Sequence, residues 1–481
     1  MRIGIVGGGP AGIISAIAVA KVAQAQGRRI TIDIFDPGAP FRGRSFNTFS
    51  SHMLLNTSIG VSALDPDNPA GFVDYLCKEE GLSVTEGDVV PRDAASRYLE
   101  VEFDKVKNGH VELTIVPARV DDVSLDGCAR AWFHSTVGSQ AYDAAILATG
   151  LEFRRLPDYF AIGEVISPYP SRQLAQVNPD DSVLVVGTRL AAVDALVCLA
   201  AQGHRGSISV HSRGGIFPGV RRSVIKPTNR PFLNEFLGYG RDAEKPVSTF
   251  AMFLELLERH ISAAGMRLTD FVPSGQICGA AQLNQDIRLC ETRENVWEGL
   301  LMDVIDGLNL IWPRLPDSEK LRFRGEADWL GRLAHSMPLR NARIIQRMFS
   351  SGQLRSVSAE EAQSTSQQIR WVVNTTGLCS ANEDPLLMRV AEKSLLRFNE
   401  SGGVAVEAGS LRTRADLSIY ANGSVIHGEV FTANSVYSTA QGAQHIARDL
   451  LGGGRVGATV SSSSELIAHT SSSGSRIEPV V

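Results

Sequence analysis

Three glycines near the start of the chain are spaced to hold phosphate. Gly7, Gly9 and Gly12 lie in Gly7-Gly8-Gly9-Pro10-Ala11-Gly12, a G-x-G-x-x-G pattern. The first glycine permits a tight turn, the second lets backbone approach a pyrophosphate, and the third lets a helix pack closely on a strand. Pro10 and Ala11 fall at the start of that helix, whose unpaired N–H groups carry partial positive charge and attract phosphate oxygens. Asp36 stands 24 residues beyond Gly12, and its carboxylate suits a pair of ribose hydroxyls. The elements that must position these groups are legible around them. An apolar run at 3–6 has strand length, an Ala/Ile/Val-rich helix follows the glycines, and a second apolar strand at 30–35 delivers Asp36. Glycine spacing alone is a weak signal. Strand, turn, helix, strand and acid in this order make a dinucleotide site.

The pattern returns once with altered chemistry. A buried-strand run at 182–186 leads into Gly187-Thr188-Arg189-Leu190-Ala191-Ala192, an apolar helix to 201, and a strand at 207–211 ending in Ser212-Arg213. Arg189 stands where the middle glycine would be and Ala192 where the third would be. No acid closes the second strand. An acid would repel a 2′-phosphate, whereas Arg213 with Ser212 would hold it, so the sequence favours NADPH over NADH. Arg213 as an ordinary solvated surface charge stays open. The Arg189 guanidinium either crowds a pyrophosphate or binds it.

The chain's 481 residues suffice for two to four domains with substantial cores. A net charge of -5 gives no reason to expect nucleic acid or an anionic membrane as partner. The apolar stretch at 13–22 is too short to span a bilayer, and it follows a strand and a phosphate turn. Six cysteines without a C-x-x-C pair, and ten histidines without H-x-x-x-H or H-E-x-x-H, argue against a dithiol enzyme and against a metal centre. Buried free thiols in a reducing cytoplasm are the expectation. A loop at 41–68, rich in Gly, Ser, Thr and Asn, is too long to be a simple connection. Strands ending in Ala148-Thr149-Gly150 and Asn374-Thr375-Thr376-Gly377 give matching T-G turns, the first from a single strand at 142–149. The fold class is α/β, with two Rossmann-like three-layer dinucleotide-binding domains and a mainly helical insertion in the second. The expected division is 1–164 with 371–455, 165–216 with 350–370, the insertion at 217–349, and a Gly/Ser-rich disordered tail at 456–481.

Two such domains, each closed by a T-G turn, resemble the two-dinucleotide-binding flavoprotein superfamily over about residues 1–450. The nearest resemblance is to flavin-containing and N-hydroxylating monooxygenases. His52-Met53-Leu54-Leu55-Asn56-Thr57-Ser58, then Asp65-Pro66, is similar to the segment whose asparagine sits beside the reactive flavin face. Asp143-Ala144-Ala145-Ile146-Leu147-Ala148-Thr149-Gly150 resembles D-x-x-x-L-A-T-G, with Leu151 in place of the final Tyr. The resemblance implies FAD on Gly7, Gly9, Pro10, Ala11, Gly12 and Asp36, with adenine at Val120, passage between domains at Thr149 and Gly150, and the final flavin turn at Gly423. It implies NADPH on Gly187, Thr188, Arg189, Ser212 and Arg213. Gly423 is followed by Ser424, where related flavoproteins place Asp, and the ketone-oxygenase fingerprint F-x-G-x-x-x-H is not met.

The resemblance makes the protein an FAD- and NADPH-dependent single-component monooxygenase. It would oxygenate a heteroatom of a small polar substrate with O2, N-hydroxylation favoured, through a C4a-(hydro)peroxyflavin. Asn56 becomes the catalytic residue, since an amide donates and accepts without protonating a peroxide; an Asn capping a turn is the alternative. Arg44, Arg340 and Arg343 are candidates to grip a carboxylate, Arg44 also the cofactor. An NADPH-linked flavin oxidoreductase and a non-catalytic flavin-binding redox sensor remain alternatives, and a homo-oligomer is left open.

Overall fold

The computed structural model describes residues 1–452 apart from 49, 63, 66–67, 108, 161–162, 224–228, 240–245, 272–277, 293–295, 327 and 365–368. The tail expected at 456–481 lies outside the described residues. The first glycine turn joins β1 (Arg2–Val6) to α1 (Pro10–Ala25), and β2 (Ile30–Phe35) ends one residue before Asp36. Beyond the long loop come α2 (Gly71–Lys78), α3 (Arg92–Lys105) and β3 (Val111–Val116). β4 (Val120–Leu125), β5 (Ala131–Ser135) and β6 (Gly138–Tyr142) make an antiparallel sheet. β7 (Ala144–Leu147) then pairs parallel with β1. The stretch 142–149, expected as one strand, is therefore divided. Asp143 exchanges backbone and side-chain bonds with Arg2 and marks where antiparallel pairing gives way to parallel.

The second unit runs through β8 (Glu164–Ile166), β9 (Val183–Val186), α4 (Leu190–Ala201), β10 (Ile208–His211) and β11 (Val220–Arg221). Helices α5 (Pro231–Phe236), α6 (Phe250–Ala263), α7 (Gly279–Thr292), α8 (Val296–Ile311), α9 (Asp317–Glu326) and α10 (Asp328–Ala334) follow. β12 (Met337–Pro338) pairs with β11 and leads into α11 (Leu339–Ser350). β13 (Leu354–Ser356), α12 (Ala359–Ser364) and β14 (Trp371–Asn374) return to the second sheet. The chain closes with α13 (Pro385–Glu392), β15 (Ile419–Ala421) and α14 (Val436–Leu451).

Two five-stranded, wholly parallel sheets result, ordered β15-β7-β1-β2-β3 and β13-β10-β9-β14-β8. Their strands are near-continuous apolar runs because both faces are covered. In β1, Ile5 faces α1, while a Cβ on the next-door Gly4 would lie 2.5 Å from the Phe133 ring of β5. Alternate side chains thus meet helices on one face and the antiparallel sheet on the other. The second sheet is layered likewise: Val183 and Val185 join one apolar cluster with α4 and α11, Leu184 and Val186 another with Phe160 and Val372. β8 and β14 both lie in the second sheet, so its limits fall outside the expected breaks at 164/165 and 370/371.

Helices α5, α6, α8, α9 and α10 build a separate core around Phe253, Leu301, Trp312 and Phe323. α7 and α11 instead give Leu283, Ile287, Ala342 and Ile345 to the second sheet's core. The stretch 217–349 is therefore part insertion and part covering layer of the nucleotide unit. No helix among the described residues is long and apolar enough to cross a membrane.

Candidate active site

Gly7 has φ +103°, and a Cβ there would sit 2.2 Å from the Ala148 carbonyl oxygen. A Cβ on Gly12 would sit 1.9 Å from the Gly7 carbonyl oxygen. Both positions exclude a side chain. The first helical bond of α1 is Ile13 N–H to Gly9 C=O at 3.1 Å, which leaves the N–H groups of Gly9, Ala11 and Gly12 without a backbone partner among the described residues. Pro10 opens the helix where no N–H is needed. Asp36 accepts from the N–H groups of Gly8 at 2.9 Å and Gly38 at 2.8 Å. Each carboxylate oxygen keeps lone-pair capacity for a hydroxyl donor.

α14 shares this mouth. Gly423 (φ +80°) comes so close to α1 that its Cβ would meet the Ala11 Cβ at 2.7 Å. Asn422 fixes it, donating to Ser15 Oγ (3.0 Å) and the Thr439 carbonyl (3.1 Å). At the far ends of the two helices, Arg28 donates to the Leu451 carbonyl at 2.7 Å. The helices thus run side by side in one direction, both amino ends at the glycine turn. Val120 is buried at the start of β4. Thr149 donates to the Gly150 carbonyl, and Gly150 has φ +68°.

The second crevice repeats this construction. Gly187 has φ +125°, and its Cβ would lie 2.3 Å from the Thr375 carbonyl oxygen, two residues before Gly377, as Ala148 lies two before Gly150. Arg189 caps α4 with φ −82° and ψ −168°, nearly the conformation of Gly9 (φ −68°, ψ −179°), so the backbone accepts a side chain there without strain. Thr188 Oγ1 bonds Ser212 Oγ at 2.9 Å and donates to the Ile216 carbonyl at 2.8 Å, joining turn to strand end. Arg213 beside them is exposed.

The long loop lies between the units. Met53 belongs to the second sheet's core, Leu55 and Ile59 to the first, and Val61 to the helical core. Asn56 sits among these anchors, and its Oδ1 is buried with no hydrogen-bond partner among the described residues. Phe41 donates its N–H to the Gly8 carbonyl at 2.7 Å, so the loop begins on the first glycine turn. Arg44 pairs with Glu152. Arg340 and Arg343 line a cleft of about 550 Å³ with His52, Leu339, Ile344 and Arg347, and Arg343 is paired with Glu291 at 2.6 Å. Arg44 is not in that lining, so the three arginines considered for one carboxylate are not brought together there.

Sequence reasoning missed a buried ionic knot beneath the loop. Arg92 of α3 donates to the carbonyls of Ser45 (3.0 Å) and Leu54 (3.1 Å) and to the Tyr169 hydroxyl (3.2 Å), and pairs with Asp194 of α4 at 2.8 Å. Burial, with Asp194 alongside, holds the Tyr169 hydroxyl well above its ordinary range. Burial opposes the Arg92 charge, but Asp194 and Tyr169 outweigh it and raise its affinity for the proton. One signal was available: Asp194 is the only charged residue of α4.

The thiols depart from expectation. Cys198 and Cys290 are buried, but Cys77, Cys128 and Cys278 are exposed, because their loops and helix edges face solvent rather than a sheet. No group of three or more metal-ligating side chains is present among the described residues.

Residues 4–152 match the FAD-NAD(P)-binding family model. No curated protein matches the chain by sequence. Among solved structures, L-lysine 6-monooxygenase from Pseudomonas syringae is similar with a TM-score of 0.55 at 14% identity, over 93% of this chain and 98% of that one. The chain has the fold of these monooxygenases. The reduced form of ornithine hydroxylase from Pseudomonas aeruginosa is similar with a TM-score of 0.54 at 18% identity, over 93% of this chain and 98% of that one. The cadaverine monooxygenase of desferrioxamine biosynthesis from Erwinia amylovora gives 0.53 at 14%, over 94% of each chain. The first crevice fits an FAD in its own geometry: a turn that excludes side chains, helix N–H groups without a backbone partner among the described residues, and a carboxylate fixed at the end of the second strand.

Proposed function

We propose that the protein is an FAD- and NADPH-dependent monooxygenase that hydroxylates the nitrogen of a small polar amine. The observation that carries this reading is the buried, unpartnered Oδ1 of Asn56, on a loop anchored at once in both nucleotide units and the helical core. The similar structures, an L-lysine 6-monooxygenase, an ornithine hydroxylase and a cadaverine monooxygenase, point to a primary amine. Gly7, Gly9, Pro10, Ala11, Gly12 and Asp36 hold the adenosine diphosphate part of FAD, Val120 its adenine, and Thr149, Gly150 and Gly423 its further course. Gly187, Thr188, Arg189, Ser212 and Arg213 hold NADPH.

The bound flavin supplies the redox chemistry: it takes a hydride from NADPH and activates O2. One oxygen atom goes to the amine and the other leaves as water, so amine, O2, NADPH and a proton give hydroxylamine, NADP+ and water. The chain orients the reactants, keeps water from the reacting face and offers the Asn56 amide as donor and acceptor. The test is anaerobic reduction by NADPH followed by turnover with lysine, ornithine and cadaverine, measuring hydroxylamine and hydrogen peroxide. Hydroxylamine matching NADPH consumed supports the proposal. Flavin that NADPH bleaches but whose electrons appear wholly as hydrogen peroxide with every primary amine would leave a plain oxidoreductase. Flavin that NADPH fails to bleach would leave a binding protein.

A further inference from the structure

Beside the second glycine turn lies a buried cation that the nucleotide motif does not account for. Arg221 in β11 is only 5% exposed, yet its side chain has no hydrogen bond and no ion pair among the described residues. A long guanidinium normally reaches solvent or a carboxylate, and burial without either is costly. Glu298 of α8, itself 7% exposed, acts on it electrostatically but makes no ion pair with it among the described residues. Burial pushes the Arg221 guanidinium down to about 10, with Glu298 only partly opposing.

The surroundings are cationic. His335 lies within electrostatic reach of both Arg221 and Arg189, the residue that replaces glycine at the cap of α4. The His335 Nδ1 is engaged by the Gly331 carbonyl at 2.9 Å. Backbone pairing sets Arg221 opposite Pro338, and three residues on, at the start of α11, Asn341 is 1% exposed with neither amide atom partnered among the described residues. A buried amide with neither atom partnered among the described residues is unusual so close to a buried cation, since nearly all such groups are bonded in folded proteins.

We infer that buried Arg221, with exposed Arg189 at its rim, forms an oxyanion subsite beside the amino end of α4. The oxyanion is a phosphate of the nicotinamide dinucleotide. Three observations favour the cofactor. Arg189 occupies the turn position where a pyrophosphate approaches backbone. The segment carrying Arg221 is held to that turn through the Thr188 bond to the Ile216 carbonyl. The helix end contributes unbonded N–H groups of Leu190 and Ala191. Arg at the middle position of the motif thus belongs to a phosphate clamp made by side chains where other chains use bare backbone. The assignment to the cofactor rests on the function proposed above; the subsite itself does not.

FAD-loaded protein is titrated calorimetrically with NADP+, NAD+, inorganic pyrophosphate and acetate, in the wild type and in Arg221→Met and Arg221→Lys, and each variant is melted without ligand. Expected are tenfold or greater weakening of NADP+, NAD+ and pyrophosphate in Arg221→Met, a smaller loss in Arg221→Lys, and a melting temperature in Arg221→Met no lower than the wild type's. Equal weakening of NADP+ and NAD+ separates this subsite from a 2′-phosphate contact at Arg213. Wild-type affinity for all three ligands in both variants would overturn the inference. So would a large fall in melting temperature in both variants with affinity kept, which would make Arg221 a structural partner of Glu298. Loss confined to acetate and to the substrate's KM would overturn the cofactor assignment in favour of a substrate carboxylate. If NADP+ fails to bind the wild type while pyrophosphate binds through Arg221, the subsite stands and the NADPH reading falls.

Discussion

Replacing Gly12 with alanine would set a methyl group 1.9 Å from the Gly7 carbonyl oxygen, with backbone on both sides and nothing flexible to yield. Gly12→Ala should therefore cost about 3 kcal/mol or more, the upper end for overpacking, and strip FAD from the purified protein. Gly9→Ala is the control: its φ is ordinary and its Cβ would meet the Gly43 Cα at 3.3 Å. It should fold and lose flavin affinity alone, and melting curves with flavin content after desalting separate the two. Asn56→Ala, removing an amide whose oxygen has no partner among the described residues, should leave flavin reduction intact while raising the hydrogen peroxide released per NADPH. An unchanged ratio would remove Asn56 from the reaction. Arg213→Ala should lower the NADPH-over-NADH ratio of kcat/KM about tenfold or more, since a charged hydrogen bond is worth about 1.5–3 kcal/mol. The turns and strand end that carry Gly9, Gly12 and Arg213 could be read from the chain because their spacing is local, within one strand–helix–strand unit. Arg221 and Asn341 could not, because only the folded chain reveals that both are buried, Asn341 without a partner among the described residues.

At the scale of elements, the strands and helices of both nucleotide units followed from apolar run length, and the glycines fixed where each turn falls. The split at Asp143 did not follow, since composition does not change there and only the Arg2 pairing reverses the chain's neighbours. Nor did the Arg92–Asp194–Tyr169 knot, whose members come from α3, α4 and the connection between β8 and β9. It ties the loop carrying His52 to Asn56 to both units at once. Arg92→Met alone, or Asp194→Asn alone, should destabilise by about 3–5 kcal/mol, because each leaves the partner buried without its pair. The double variant should lose less than the sum, and chemical denaturation of the four proteins gives that coupling directly.

Across the whole molecule, the helical region is fastened to the segment that leads into α14 of the first unit. Asn309 of α8 donates to Thr432 Oγ1 (3.1 Å) and Ser438 Oγ (3.3 Å), and Trp312 donates to the Gly428 carbonyl at 2.8 Å. Arg230 bridges Asp303 and Asp306 of the same helix at 2.5 and 2.7 Å. The α/β class and the doubled nucleotide fold could be read from the chain. The division of 217–349 between two cores could not, because α7 and α11 are amphipathic like their neighbours and only packing decides which core they join. This arrangement places the region beside the amino end of α14. A primary amine of pKa near 10.4, as in lysine, is almost wholly protonated at neutral pH, and its lone pair is then unavailable for attack on oxygen. The neutral fraction grows tenfold per pH unit below that pKa. With an amine substrate, kcat/KM should therefore rise with pH between 6 and 9, while anaerobic flavin reduction by NADPH, which needs no amine, should vary far less. The comparison of the two profiles on one preparation separates amine deprotonation from titration of the chain, and a kcat/KM that stays flat over this range would exclude amine attack as the step that consumes oxygen.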